Sequence, residues 1–112
     1  MDLSGKKAVV FGGTSGIGLA AALLLARNGA EVTAVSREPD KAGTLPSGVS
    51  LRACDVLDRS AVETVFNDLS PIDILVTAAT GGKRAIGPFL EMDMDGYKGS
   101  FDKLWGYANV VR

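Results

Sequence analysis

A doubly wound α/β fold, with a parallel sheet between two layers of helices, is the architecture this sequence predicts. Three observations lead there. A continuous apolar run, Val9-Val10-Phe11, passes through the spaced glycines Gly12, Gly16 and Gly18 into an alanine- and leucine-rich stretch of helical periodicity. A strand, a tight turn and a helix N-terminus in that order present backbone N–H groups and a positive helix end to a phosphate. Apolar runs then alternate with helical patterns along the chain, which calls for right-handed βαβ crossovers. Finally, 112 residues with 46% apolar and 22% charged content make one soluble globular unit.

The elements follow in sequence. Lys7 to Phe11 is a fully buried strand, because it is continuously apolar rather than alternating. From Gly16 to Asn28, Ile17, Ala20, Ala21, Leu24 and Leu25 repeat at helical spacing, and Gly29 is the expected residue just past the helix end. Glu31 to Val35 is the second strand. Ser36 to Gly48 holds Pro39, Gly43, Pro46 and Gly48, which leaves room for a turn or two of helix at most. Val49 to Cys54 is the third strand, and Asp55 opens a loop. Asp58 or Ser60 caps a helix to about Leu69, with Val62, Val65, Phe66 and Leu69 inward. Beyond Pro71, Ile72 to Thr77 is the fourth strand.

Ala78 to Leu90 reads as a loop carrying Lys83 and Arg84, two cations whose simplest role is a solvated pair. A last helix runs from Asp93 or Asp95 onward, with Tyr97, Phe101, Leu104, Ala108 and Val111 forming an apolar stripe. Gly96, Gly99 and Gly106 each weaken it by about 1 kcal/mol relative to alanine, so it depends on packing. Four strands in the order 3-2-1-4 make slightly more than half of a Rossmann-like sheet.

Composition excludes several classes of function. Twelve basic and thirteen acidic residues leave a net charge of −1 without clusters, which favours neither nucleic acid nor an anionic membrane as partner. The chain has no histidine, which removes imidazole bases, a serine–histidine triad and the commonest zinc ligand. A single cysteine, Cys54, allows no intrachain disulfide and no multi-cysteine metal site. No metal is expected. With no leader pattern and no apolar run of spanning length, the expected location is the cytoplasm.

At the glycine turn, Gly12 permits the bend, Gly16 lets a ligand backbone approach, and Gly18 lets the helix lie close to the strand. A P-loop is excluded, because Leu19 and Ala20 stand where lysine and serine or threonine are required. The alternative is a turn used only for packing.

The Gly-x-x-x-Gly-Ile-Gly spacing from Gly12 to Gly18 resembles the short-chain dehydrogenase/reductase family. Three further pieces agree in order: Ser36-Arg37 after the second strand, Asp55-Val56 after the third, and Ile72-Asp73-Ile74-Leu75-Val76 as the fourth. The resemblance covers the chain as the N-terminal part of a longer domain, and residues 1–112 are expected to be a single dinucleotide-binding unit. An acidic residue about twenty positions beyond the glycines would favour NAD. Ser36 and Arg37 take that place, a hydroxyl and a guanidinium suited to a 2′-phosphate, so NADP is the expected cofactor. Thr14 and Ser15 add hydroxyls toward the same phosphate. The other reading of Arg37 is a solvated side chain paired with Glu38 or Asp40.

By the same resemblance, Asp55 and Val56 flank the adenine, although Asp55 also suits an ordinary loop or capping role. The family's Asn-Asn-Ala-Gly beside the cofactor ribose falls on Thr77-Ala78-Ala79-Thr80, where only Ala79 matches. Ala78, Ala79 and Thr80 complete the expected binding set. The resemblance implies hydride transfer between nicotinamide and a carbonyl or alcohol, using a tyrosine followed four residues later by lysine. Tyr97 is followed at that spacing by Phe101 and Tyr107 by Val111. The family's helix asparagine falls on Lys103, and its catalytic serine belongs to a fifth strand. No catalytic residue is therefore assigned, and the chain is expected to be a truncated, self-associating piece, inactive alone. The competing readings are a non-catalytic dinucleotide-binding or interaction module, and a structural fragment that binds nothing.

Overall fold

The computed structural model describes residues 1–79, 87–99 and 101–112, without the side chain of Lys41. Four parallel strands, β1 (Lys7–Phe11), β2 (Glu31–Ser36), β3 (Val49–Ala53) and β4 (Ile74–Thr77), form one sheet in the order β3-β2-β1-β4. Residues at one level across three strands are Ala34, Val10 and Val76. The helices are α1 (Gly16–Arg27), α2 (Arg59–Leu69), α3 (Met94–Gly99) and α4 (Asp102–Val111), with short 3₁₀ turns at Pro39–Ala42 and Phe89–Glu91.

Successive residues of a strand point to opposite faces, and both faces of β1 are buried, which is why it reads as an unbroken apolar run. Ala8 and Val10 join Ala22, Ala30, Val32, Ala34 and Val49 beneath α1. Val9 and Phe11 join Val35, Cys54, Val56, Val62, Val65 and Val110 beneath α2 and α4. The expected strand order and the alternation of elements both hold. β4 begins two residues later than expected: Lys7 N–H donates to an Asp73 carboxylate oxygen at 2.9 Å, and the ladder starts at Ala8 and Ile74.

Three helix ends have a local cause. Asn28 caps α1 and Gly29 follows at φ +99°. The Asp58 side chain accepts the Ala61 N–H at the start of α2. Asp93 does the same for α3, accepting from Asp95 and Gly96.

Two expectations for the helices change. The last helix is assigned as two pieces, α3 and α4. Residue 100 between them lies outside the described residues, and the Phe101 N–H donates to the Lys98 carbonyl at 3.1 Å. The docking faces also lie one step from the most apolar stripes. α1 buries Gly18 and Ala22 while Ile17 is 85% exposed, and α4 buries Gly106 and Val110 while Leu104 is 61% exposed. α2 buries Val62 and Val65 as expected, with Phe66 and Leu69 against the same core.

Candidate functional site

The C-terminal ends of all four strands open into a single cleft of about 610 Å³. Such crevices outside the strand ends are where open α/β sheets take ligands. The Gly12–Gly18 turn, Ser36-Arg37, Asp55-Val56 and Ala78-Ala79 all line it. Thr14, Ser15 and Ile17 stand in the same wall. The expected set thus converges from residues up to 67 positions apart (12 to 79). Thr80, Lys83 and Arg84 lie outside the described residues.

The turn is built by close approach. Gly12 has φ +79°, and a Cβ there would meet Ala79 N at 2.5 Å and Ala78 carbonyl carbon at 2.6 Å. Its own N–H is held by the Val35 carbonyl at 2.7 Å, and Ala78 N–H donates to Phe11 O at 2.8 Å. A Cβ on Gly18 would run into the Gly12 carbonyl oxygen, so the first turn of α1 lies directly on β1's exit. Gly16 is different: its φ is +54° and nothing stands within 4 Å of where its Cβ would be. That space is a cradle against bare backbone, which a side chain would fill.

α1 starts without help from its own side chains. Ser15 is extended (φ −155°, ψ 162°), makes no capping hydrogen bond, and no acid stands in the first turn. Its leading N–H groups are therefore left to a ligand or water, and the helix dipole favours an anion. Two hydroxyl oxygens of residues lining the cleft, Ser36 Oγ and Thr77 Oγ1, are buried with no hydrogen-bond partner among the described residues. Orphaned groups of that kind cost about 1–3 kcal/mol each, and a bound polar group relieves the cost. These features fit a phosphate-bearing ligand.

The acid and thiol of the cleft have structural ties. Asp55 Oδ1 accepts Leu57 N–H at 3.0 Å and the Asp55 carbonyl accepts Asp58 N–H at 2.9 Å, which shapes the loop after β3. Burial, with Asp55 and Asp58 nearby, pushes the Cys54 thiol up, which favours its protonated form. Among the described residues the ion pairs Arg52–Asp68 (2.6 Å) and Arg59–Glu63 (3.4 Å) do not include Arg37.

Residues that motif reading had left aside also line the cleft, among them Leu57, Thr77, Lys103 and Tyr107. For Lys103 there was a signal, since it stands at the family's asparagine position. α4 reaches the cleft because Gly106 lets it approach Val56, where a Cβ would meet Val56 Cγ2 at 2.6 Å. Asn109 Nδ2 then donates to the Val56 carbonyl at 2.9 Å and locks the contact.

The family model described as short chain dehydrogenase matches residues 6–106. The chain belongs to the short-chain dehydrogenase family. L-xylulose reductase of Mesocricetus auratus is 34% identical over 105 residues, covering 91% of this chain and 42% of that protein. The short-chain dehydrogenase/reductase prx4 of Penicillium rubens is 36% identical over 93 residues, covering 83% and 28%. Among solved structures, a short chain dehydrogenase/reductase family protein superposes with TM-score 0.83 at 32% identity, over 99% of this chain and 48% of that one. A short-chain type dehydrogenase/reductase from Mycobacterium ulcerans, 23% identical with TM-score 0.85, has the same fold. The chain spans less than half the length of these relatives. Membership of the short-chain dehydrogenase family implies a nicotinamide dinucleotide, NAD or NADP, as cofactor. Among the described residues no helix is long and apolar enough to cross a membrane.

Proposed function

We propose that this chain is the NADP-binding part of a short-chain oxidoreductase, in which the cleft at the strand ends holds the dinucleotide. The observation that carries the reading is the uncapped N-terminus of α1 facing the open space at Gly16. The N–H groups of Gly16, Ile17 and Gly18 take the pyrophosphate there. Arg37 and the orphaned Ser36 hydroxyl stand at the end of β2, where the adenosine ribose of such cofactors lies, and take the 2′-phosphate. Thr14 and Ser15 add hydroxyls, Asp55 and Val56 flank the adenine, and Ala78 and Ala79 border the ribose. The bound dinucleotide supplies or accepts hydride, and a carbonyl or alcohol is its counterpart.

Neither tyrosine has lysine four residues on, so the 112 residues bind cofactor without turning over substrate. That favours, as a second reading, a dinucleotide-binding module that performs no chemistry itself. The buried free thiol suits a reducing, cytoplasmic setting. The outward face of α4, with Leu104 and Trp105 about 60% exposed, is the surface for self-association.

Titration with NADPH and NADH tests the assignment. The wild type is expected to prefer NADPH, and Arg37→Asp to reverse the preference by about 10- to 100-fold through loss of a charge-assisted contact. An unchanged preference in Arg37→Asp would refute the role of the guanidinium. Reduction of a carbonyl by these residues alone would refute the absence of an acid.

A further inference from the structure

The binding set read from motifs is drawn from the glycine turn and the loops that follow the strands; the cleft has another wall. α1 packs on one face of the sheet, through Ala22, and α4 on the other, through Val110. Lys103 lies one turn before Gly106 on α4. The Gly106 approach to Val56 and the Asn109–Val56 hydrogen bond carry Lys103 and Tyr107 into the cleft. There the Lys103 ammonium stands 5.6 Å from the centre of the Tyr107 ring. That is cation–π range, and it restrains a side chain that otherwise has four free torsions.

Among the described residues, the cations lining the cleft are Arg37 and Lys103, and the acids are Glu38 and Asp55. Asp55 Oδ1 is occupied by the Leu57 N–H. A ligand over the strand ends is therefore met by the α1 amides from one face of the sheet and by an ammonium from the other. We propose that Lys103 is a cofactor-binding residue, donating to a phosphate oxygen of the dinucleotide from the α4 side while the Tyr107 ring steadies its ammonium. An ammonium is a compact charge with three rotatable donors, which suits a phosphate oxygen approached from any angle. The proposal rests on the dinucleotide reading of the cleft and adds to it a contact from a helix that the glycine turn does not touch.

NADPH binding, followed by nucleotide fluorescence without substrate, tests it in the wild type, Lys103→Met, Lys103→Arg and Lys98→Met. Lys98 is an exposed lysine of α3 outside the cleft. Lys103→Met is expected to weaken binding about tenfold and to flatten its salt dependence, as loss of one charge-assisted phosphate contact requires. Lys103→Arg should keep most of the affinity, and Lys98→Met all of it. If Lys103→Met binds NADPH as the wild type does, the lysine has no such contact while the cleft assignment stands. If Lys103→Met and Lys98→Met weaken binding equally, the effect is one of net charge and the proposal fails. A wild type that binds no NADPH overturns the cleft reading itself, and this inference with it.

Discussion

α2 and α4 lie on the same face of the sheet, yet they dock in opposite ways. α2 inserts side chains: Val62 and Val65 are 1% exposed, and Phe66 stands 5.8 Å from Phe11, centre to centre. α4 docks by lacking a side chain at Gly106, where Val56 fills the space, and Val110 follows one turn on. Its bulky Leu104 and Trp105 face outward, and just before it Tyr97 of α3 and Phe101 stack edge to face at 5.4 Å. One helix is held by what it brings to the core. The other is held by what it leaves out, which also places Lys103 at the cleft.

Substitutions at both helices sharpen this contrast. The largest effect is expected at Val65→Ala, which removes two methyls from the packed core and should destabilise by about 2–3 kcal/mol in urea unfolding. Gly106→Ala reads in the opposite direction from helix propensity. Propensity favours alanine by about 1 kcal/mol. Overpacking against Val56 costs about 1–3 kcal/mol, so a net loss of about 1 kcal/mol is expected. A Val56→Ala partner substitution should reduce that loss, and a gain in stability from Gly106→Ala alone would contradict the close contact. The smallest change belongs to the double variant Leu104→Ser and Trp105→Ser. Both side chains are mostly exposed, so unfolding should shift by no more than about 0.5 kcal/mol per site. If this apolar face carries the proposed association, sedimentation should nevertheless move toward a smaller species, and an unchanged profile would refute that role.

Much of the fold can be read from the chain directly. The apolar run before Gly12, the turn glycines, the Asp58 cap and the spacing of four strands each depend on neighbours within a few residues. The parallel order β3-β2-β1-β4 is that of a Rossmann-like sheet, to which the glycine turn after the first strand points, with crossover handedness narrowing the choice. Most of the cleft was legible for the same reason, since strand ends of a parallel sheet converge by topology. Legibility failed where a helix meets the sheet. Periodicity located an apolar stripe on α1 through Ile17 and Leu24, but the buried line runs through Gly18 and Ala22. For the last helix it located Tyr97, Phe101, Leu104, Ala108 and Val111, whereas on α4 Gly106 and Val110 face inward.

A helix settles where its axis can come nearest the strands, and nearness depends on two surfaces at once: Gly18 against the Gly12 carbonyl, Gly106 against Val56. A single chain read in order displays only one of those surfaces at a time. Local chemistry along the backbone was therefore enough to specify the strands, the glycine turn and the uncapped start of α1. Which helix faces were covered, and that a lysine ninety-one positions beyond Gly12 (103 − 12) would share its cleft, followed from packing between distant segments.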